Sequence, residues 1–180
     1  MKQIVLVIIN FLFFSAFSQA QDKTVFDVAR KGTLPEIQEI YNRNPELINA
    51  INDNKATTLI LACYRNNEAV ALYLLDKVSN INYNSGMGTA LMAAIMSGNK
   101  VIIEKLITKK ADLDQTDTQG KTALIYAAFN NNTEIVQMLL KAGANKKLAD
   151  KENRTALDYA KFNKNTQLII LLDFQIQPNN

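Results

Sequence analysis

A chain of 180 residues, 48% of them hydrophobic, holds enough apolar material for a folded domain, and 20 Lys and Arg against 17 Asp and Glu give no general pull toward nucleic acid or anionic lipid. It contains no histidine, so the commonest general base, the usual partner of a Ser or Cys nucleophile and the commonest zinc ligand are all missing. The single cysteine, Cys63, excludes an internal disulfide.

The chain opens MKQIVLVIINFLFFSAFSQAQ. Lys2 is a minimal basic start, Ile4 to Phe14 form an apolar run interrupted by Asn10, and Ser18, Gln19 and Ala20 offer small residues where a leader is cut. The pattern predicts a signal peptide over residues 1–20 and export of residues 21–180. An uncleaved anchor is the lesser reading, because the run falls short of the roughly 20 apolar residues that span a bilayer. A lipoprotein is disfavoured because Cys63 lies far from the leader. The Lys-, Asn- and Ile-rich composition points to a bacterial protein, periplasmic in the first instance and extracellular as the alternative.

Past the leader the sequence falls into units of about 22–49, 52–82, 83–114, 117–147 and 150–174. The first reads as an amino-terminal cap. Val25, Val28 and Ala29 are spaced for one buried helix face, and Leu34, Ile37, Ile40 and Tyr41 for a second. Asn44-Pro45 stops that second helix, since proline disfavours helical geometry in the residue before it. Lys23, Asp27, Glu36, Glu39 and Arg43 keep the outer side polar, as a terminal unit requires.

The stretch Asp117 to Lys147 is the clearest unit. Thr122 is placed to cap a short helix with Leu124, Ala127 and Ala128 on one face, and Ile135, Val136, Leu139 and Leu140 line a longer one. Thr122, Leu124, Ala127, Ile135 and Leu139 recur 33 residues on as Thr155, Leu157, Ala160, Leu168 and Leu172, and 33 residues back as Thr89, Leu91, Ala94, Ile102 and Leu106. A further step of 32 reaches Thr57, Leu59, Ala62, Val70 and Leu74, the shorter step falling at a turn one residue briefer, Ser85-Gly86-Met87-Gly88. Two short helices cannot close a core alone, so a fixed period of this length implies a stacked array.

The pattern D-x-x-G-x-T-A-L-x-x-A-A…I-V-x-x-L-L-x-x-G-A-N resembles the ankyrin repeat over nearly all of the chain after residue 22. The resemblance implies an all-α solenoid of about five helix-turn-helix repeats joined by short β-turn or hairpin loops. The usual Thr-Pro-Leu-His is replaced by Thr57-Thr58-Leu59-Ile60, Thr89-Ala90-Leu91-Met92, Thr122-Ala123-Leu124-Ile125 and Thr155-Ala156-Leu157-Asp158. Loss of the proline and histidine removes a rigid helix start and a polar link between repeats, and predicts lower stability per repeat.

Gly32, Asn66, Gly98 and Asn131 stand where the chain reverses between paired helices, a place that favours the left-handed backbone region. The fifth unit has Lys164 there, which predicts a less regular turn. Its last helix, with Leu168 to Leu172 all apolar, is expected to be partly covered or weakly exposed on its outer side, and the polar tail Gln175 to Asn180 to fray.

Catalytic chemistry finds little support: no glycine-rich phosphate loop joins a strand to a helix and no cysteine pair exists. Asp112, Asp114 and Asp117 cluster without the spacing of a calcium loop, and aspartates are common in such turns because they accept local backbone N–H groups. Cys63 sits beside Ala62 in a small-residue slot and reads as buried filler. The sequons at Asn131 and Asn153 coincide with positions the fold already uses, a turn at Asn131 and a cap at Thr155.

The resemblance also implies where contact occurs, on the inward side formed by turn tips and first helices. At the turns these positions are Asp53, Asn54 and Ala56; Ser85, Gly86 and Gly88; Thr118, Gln119 and Lys121; Lys151, Glu152 and Arg154. After the small-residue pair they are Arg30 and Lys31, Tyr64 and Arg65, Met96 and Ser97, Phe129 and Asn130, Lys161 and Phe162. Tyr64, Met96, Phe129 and Phe162 fall near one line beside Arg30, Arg65 and Lys161, and aromatics, Met and Arg are enriched at the centres of protein interfaces. The alternative is that these side chains only seal gaps between neighbouring helices. The expectation is a non-enzymatic module without cofactor or metal, a monomer that binds a protein partner, as a regulator, inhibitor or self-protection factor of another exported protein. A secreted effector acting on a host or neighbouring cell is the alternative, and an enzyme on a solenoid scaffold the lesser one.

Overall fold

The computed structural model describes residues 23–174. The predicted leader over residues 1–20 and the tail from Gln175 lie outside the described residues. Ten α-helices follow in pairs: α1 Val25–Lys31 and α2 Leu34–Arg43, α3 Thr58–Tyr64 and α4 Glu68–Leu75, α5 Ala90–Ser97 and α6 Lys100–Thr108, α7 Ala123–Phe129 and α8 Thr133–Lys141, α9 Ala156–Phe162 and α10 Thr166–Asp173. A 3₁₀ turn, Pro45–Asn49, follows α2, and two isolated antiparallel bridges, Ile51 with Thr57 and Ala149 with Thr155, mark hairpin-like turns.

Each first helix starts on a threonine. The hydroxyls of Thr57, Thr89, Thr122 and Thr155 accept from the backbone N–H three residues on, satisfying a donor that has no partner inside the helix. The missing proline therefore does not leave these helices without a start. In α1 and α9 the arrangement is reciprocal, the carboxylates of Asp27 and Asp158 reaching back to the N–H groups of Thr24 and Thr155. Three of the second helices start on asparagine in the same way, with Asn99, Asn132 and Asn165 accepting from Ile102, Ile135 and Leu168.

Stacking closes the core. Every first helix packs on the next (α1 on α3, α3 on α5, α5 on α7, α7 on α9), and every second helix does likewise. Leu59, Leu91 and Leu124 from the first row and Val70, Ile102, Ile135 and Leu168 from the second are buried. Ala62, Cys63, Ala94, Ala127 and Ala160 on the first helices are fully buried, small side chains that suit packed helices. Truncating any of the three leucines to Ala should cost about 2–5 kcal/mol, since neighbouring repeats cannot collapse onto the gap.

Polar links also join the repeats, in place of the absent histidine. The side-chain amide of Asn67 donates to the carbonyls of Val28, Ala29 and Gly32 in the preceding unit. Asn99 reaches Asn66 and Glu68, and Asn165 reaches Asn131. A second row runs through the loops, where Asn49, Asn82 and Asp114 accept from the backbone N–H of Ser79, Asp112 and Asn145 in the following units. Asp112 accepts from Asp114 N–H. The aspartates of this loop thus serve local and inter-repeat backbone donors.

Two expectations need correction. Gly32 is not left-handed: its φ is −82°. It is small because of close approach, since a Cβ there would lie 2.6 Å from Val28 Cα. Lys164, expected to disturb its turn, has φ 55°, matching Asn66 and Asn131 at 57°. The backbone bonds around it, Lys164 N–H to Lys161 O and Asn165 N–H to Ala160 O, repeat those at Asn131 and Asn132, so packing of α10 against α8 imposes the regular turn on a lysine. The last helix is partly covered, as expected: Ile170 is 60% exposed, Ile169 and Leu171 are partly buried against the core, and Leu168 and Leu172 face inward.

Candidate interaction surface

The turns before α3, α7 and α9 are each closed by a main-chain bond and an Asx side chain. Asn52, Asp117 and Asp150 each donate N–H to the carbonyl four residues on, at Ala56, Lys121 and Arg154. Their side-chain oxygens accept from the N–H groups of the same three residues. The third turn is one residue shorter, with Ser85 N–H bonded to Gly88 O. Its tip is Met87, 81% exposed. Thr118 N–H donates to Gly86 O and Lys151 N–H to Gln119 O, so the last three tips are tied into one row.

Beside that row stand the ends of the first helices. Tyr64, Met96, Phe129 and Phe162 are 55%, 47%, 50% and 83% exposed and occupy equivalent places in consecutive repeats. Two of them also touch the following repeat, Phe129 through Tyr159 and Met96 through Asn130, while fully buried alanines lie between the first helices. The Arg65 guanidinium lies 5.7 Å above the Tyr64 ring. Lys31, Arg65, Asn130 and Lys161 are exposed, as are Asn54 and Gln119 at the tips. Arg30 is half-buried and 3.6 Å from Asp27. Ser97 turns back to donate to Ala94 O, and the Asn130 amide reaches the Met96 sulfur.

Lys121 and Arg154, positions that the ankyrin resemblance assigns to contact, are held by the protein itself. The Lys121 ammonium lies 5.2 Å from the Phe129 ring centre and 5.8 Å from those of Tyr126 and Tyr159. Phe129 and Tyr159 meet edge to face at 5.6 Å. Arg154 spans Asp150 and Glu152 and lies 4.9 Å from the Tyr159 ring. Cations over aromatic faces are attracted by about 0.5–2 kcal/mol, according to their exposure.

Under these cations lie two acid–phenol pairs, one part-buried and one buried, that local sequence spacing does not single out. Tyr126 OH donates to Asp117 at 2.6 Å, and Tyr159 OH to Asp150 at 2.5 Å. A recurrence of Asp, Lys or Arg, and Tyr at a step of 33 was the available signal. Burial works to raise the Asp150 carboxyl, but bonds from Tyr159 and from the N–H groups of Arg154 and Glu152 outweigh it and hold it down at about 2. Burial and the Asp150 bond push the Tyr159 phenol up to about 12, and Tyr126 is likewise raised by burial and by Asp117. These phenols stay neutral donors that brace the turns.

Two other sequence features resolve into structural roles. Cys63 is fully buried, and burial pushes its thiol up to about 12, away from the thiolate that reacts. The sequon residues Asn131 and Asn153 both hold positive φ, and Thr155 caps α9.

The geometry defines a stacked array of helical hairpins presenting one row of tips and helix ends. The family model described as ankyrin repeats (3 copies) matches residues 25–117 and 91–180, and the chain belongs to that family. It is similar to ankyrin repeat and SAM domain-containing protein 6 of Rattus norvegicus, 29% identical over 100 residues, and to the protein of the same name from Mus musculus, 30% identical over 100 residues. Each match covers 54% of this chain, and the chain spans 11% of the length of these relatives. Ankyrin repeats indicate a protein–protein interaction module and are typically non-enzymatic. Among the described residues no helix is long and apolar enough to cross a membrane.

Proposed function

We propose that this chain is a non-enzymatic binding module, exported to a bacterial periplasm, that as a monomer holds a protein partner against its turn tips and first helices. Its role is that of a regulator, inhibitor or self-protection factor of another exported protein. The observation behind this reading is the row of Tyr64, Met96, Phe129 and Phe162, four large apolar side chains left in solvent at equivalent places. Large exposed apolar side chains gathered at one register, rather than scattered singly, mark a candidate contact surface. The leader-like opening of the sequence supports export.

Affinity capture from osmotic-shock fluid, followed by mass spectrometry, tests this. The wild-type chain should retain a specific protein, and the double variant Tyr64→Ala, Phe129→Ala should lose it with its circular dichroism unchanged. Undiminished capture by that variant would reject the face. Recovery of the chain from the culture medium alone would favour a secreted effector instead.

A further inference from the structure

The same face has a charge pattern that narrows the partner. Toward the amino end it presents the exposed Lys31 and Arg65, with Arg30 beside Asp27, and toward the carboxyl end the exposed Lys161, with Lys121 over its three rings and Arg154 paired to Asp150 and Glu152. Acidic residues at the tips are few: Asp53 is exposed, and Glu152 is bound to Arg154. Asp27 and Asp158, on the first helices, are occupied as reciprocal caps. Between the two basic ends the third repeat contributes no charge at all. Its tip and helix end are Ser85, Gly86, Met87, Gly88, Met96 and Ser97, and both methionines are exposed. The second-helix side of the array is different, with acids and bases interspersed and paired, as in Lys100 with Glu134 and both Lys105 and Lys109 with Asp76.

The geometry points to an acidic–apolar–acidic polypeptide segment as the occupant of this face, an inference that rests on the reading of the face as the binding surface. The uncharged third repeat offers an apolar anchor the exposed Met87 and Met96, with Phe129 in the next repeat, methionine being adaptable enough to fit varied side chains. Carboxylates on either side of the anchor meet Arg65 at one end and Lys161 at the other. Helices that pack about 8–10 Å apart place the second and fifth repeats about 25–30 Å from each other, a span of about eight or nine extended residues. Charge complementarity of this kind fixes register and speeds encounter. Single-stranded nucleic acid, the other ligand for basic residues among aromatics, carries a charge on every nucleotide and needs an unbroken basic track, which the third repeat interrupts.

The test uses the full chain on an array of twelve-residue peptides in which arm charge (acidic, neutral or basic) and centre (Leu-Phe or Ser-Gly) vary independently, with a twelve-residue oligothymidine as a further probe. Acidic arms around Leu-Phe should retain the chain best, and added salt should weaken that retention. The double variant Arg65→Glu, Lys161→Glu, both side chains exposed, should lose at least about tenfold while its thermal unfolding stays unchanged. Retention no better on acidic than on neutral or basic arms, indifference to charge reversal, or tighter binding of the oligothymidine would each overturn the inference. If a protein is still captured through Tyr64 and Phe129 while the acidic peptides are refused, the face stands and only its specificity is wrong.

Discussion

The phenol of Tyr159 donates to the carboxylate of Asp150 across nine residues, joining the helix α9 to the turn that precedes it. Asp150 also accepts from the N–H groups of Glu152 and Arg154, so one buried side chain organises the whole tip. Replacing it by Ala leaves those donors unsatisfied, and urea unfolding should show a loss of about 2–3 kcal/mol. Tyr159→Phe, which removes a single donor, should cost about 1 kcal/mol, and the double variant should cost less than the sum of the two.

The same carboxylate makes stability depend on pH. Its folded value, about 2, lies below the ordinary 3.8, so the folded protein binds this proton less readily than the unfolded chain. The stabilisation is therefore fully present above about pH 4 and is lost as pH falls toward 2. Urea midpoints measured between pH 5 and 2 should fall through that window, and the fall should be shallower in Asp150→Asn.

Asn67 ties α4 to three carbonyls of the amino-terminal unit. Asn67→Ala should destabilise the chain by about 1–2 kcal/mol. The loss should be local: hydrogen exchange should accelerate in α1 and α2 well before α7 or α9 is affected, as stability in an array is a sum of neighbouring interfaces.

Lys164 holds the left-handed backbone at a cost of about 1 kcal/mol relative to Gly. Lys164→Gly should therefore raise the melting temperature by about 2–4 °C. Gly98→Ala should lower it, for conformational reasons alone, because a Cβ there would meet nothing within 4 Å.

Much of the fold was legible because its signals are local and repeated. A threonine before each apolar stripe marks a cap, small residues mark close helix contact, and the 32-residue step marks the short turn at Ser85. What escaped reading was long-range or imposed. Nothing local distinguishes Asn67, which bonds across repeats, from the many other asparagines of the chain. Lys164 has poor intrinsic preference for its turn and adopts it because helices on both sides are already fixed by packing. A glycine at position 32 suggests conformational freedom, but its physical reason is the close approach of Val28. On the candidate surface, the exposed row followed from the repeat register. The engagement of Lys121 by three rings did not, because Phe129, Tyr126 and Tyr159 come from two different repeats.

The most direct measurement is hydrogen–deuterium exchange of the chain with and without its captured partner. Binding should slow exchange in segments containing Tyr64, Met96 and Phe129 and in the turn tips from Asp53 to Arg154, leaving α4, α6 and α8 at their free rates. Protection confined to those second helices, with the row of Tyr64, Met96 and Phe129 unchanged, would contradict the account.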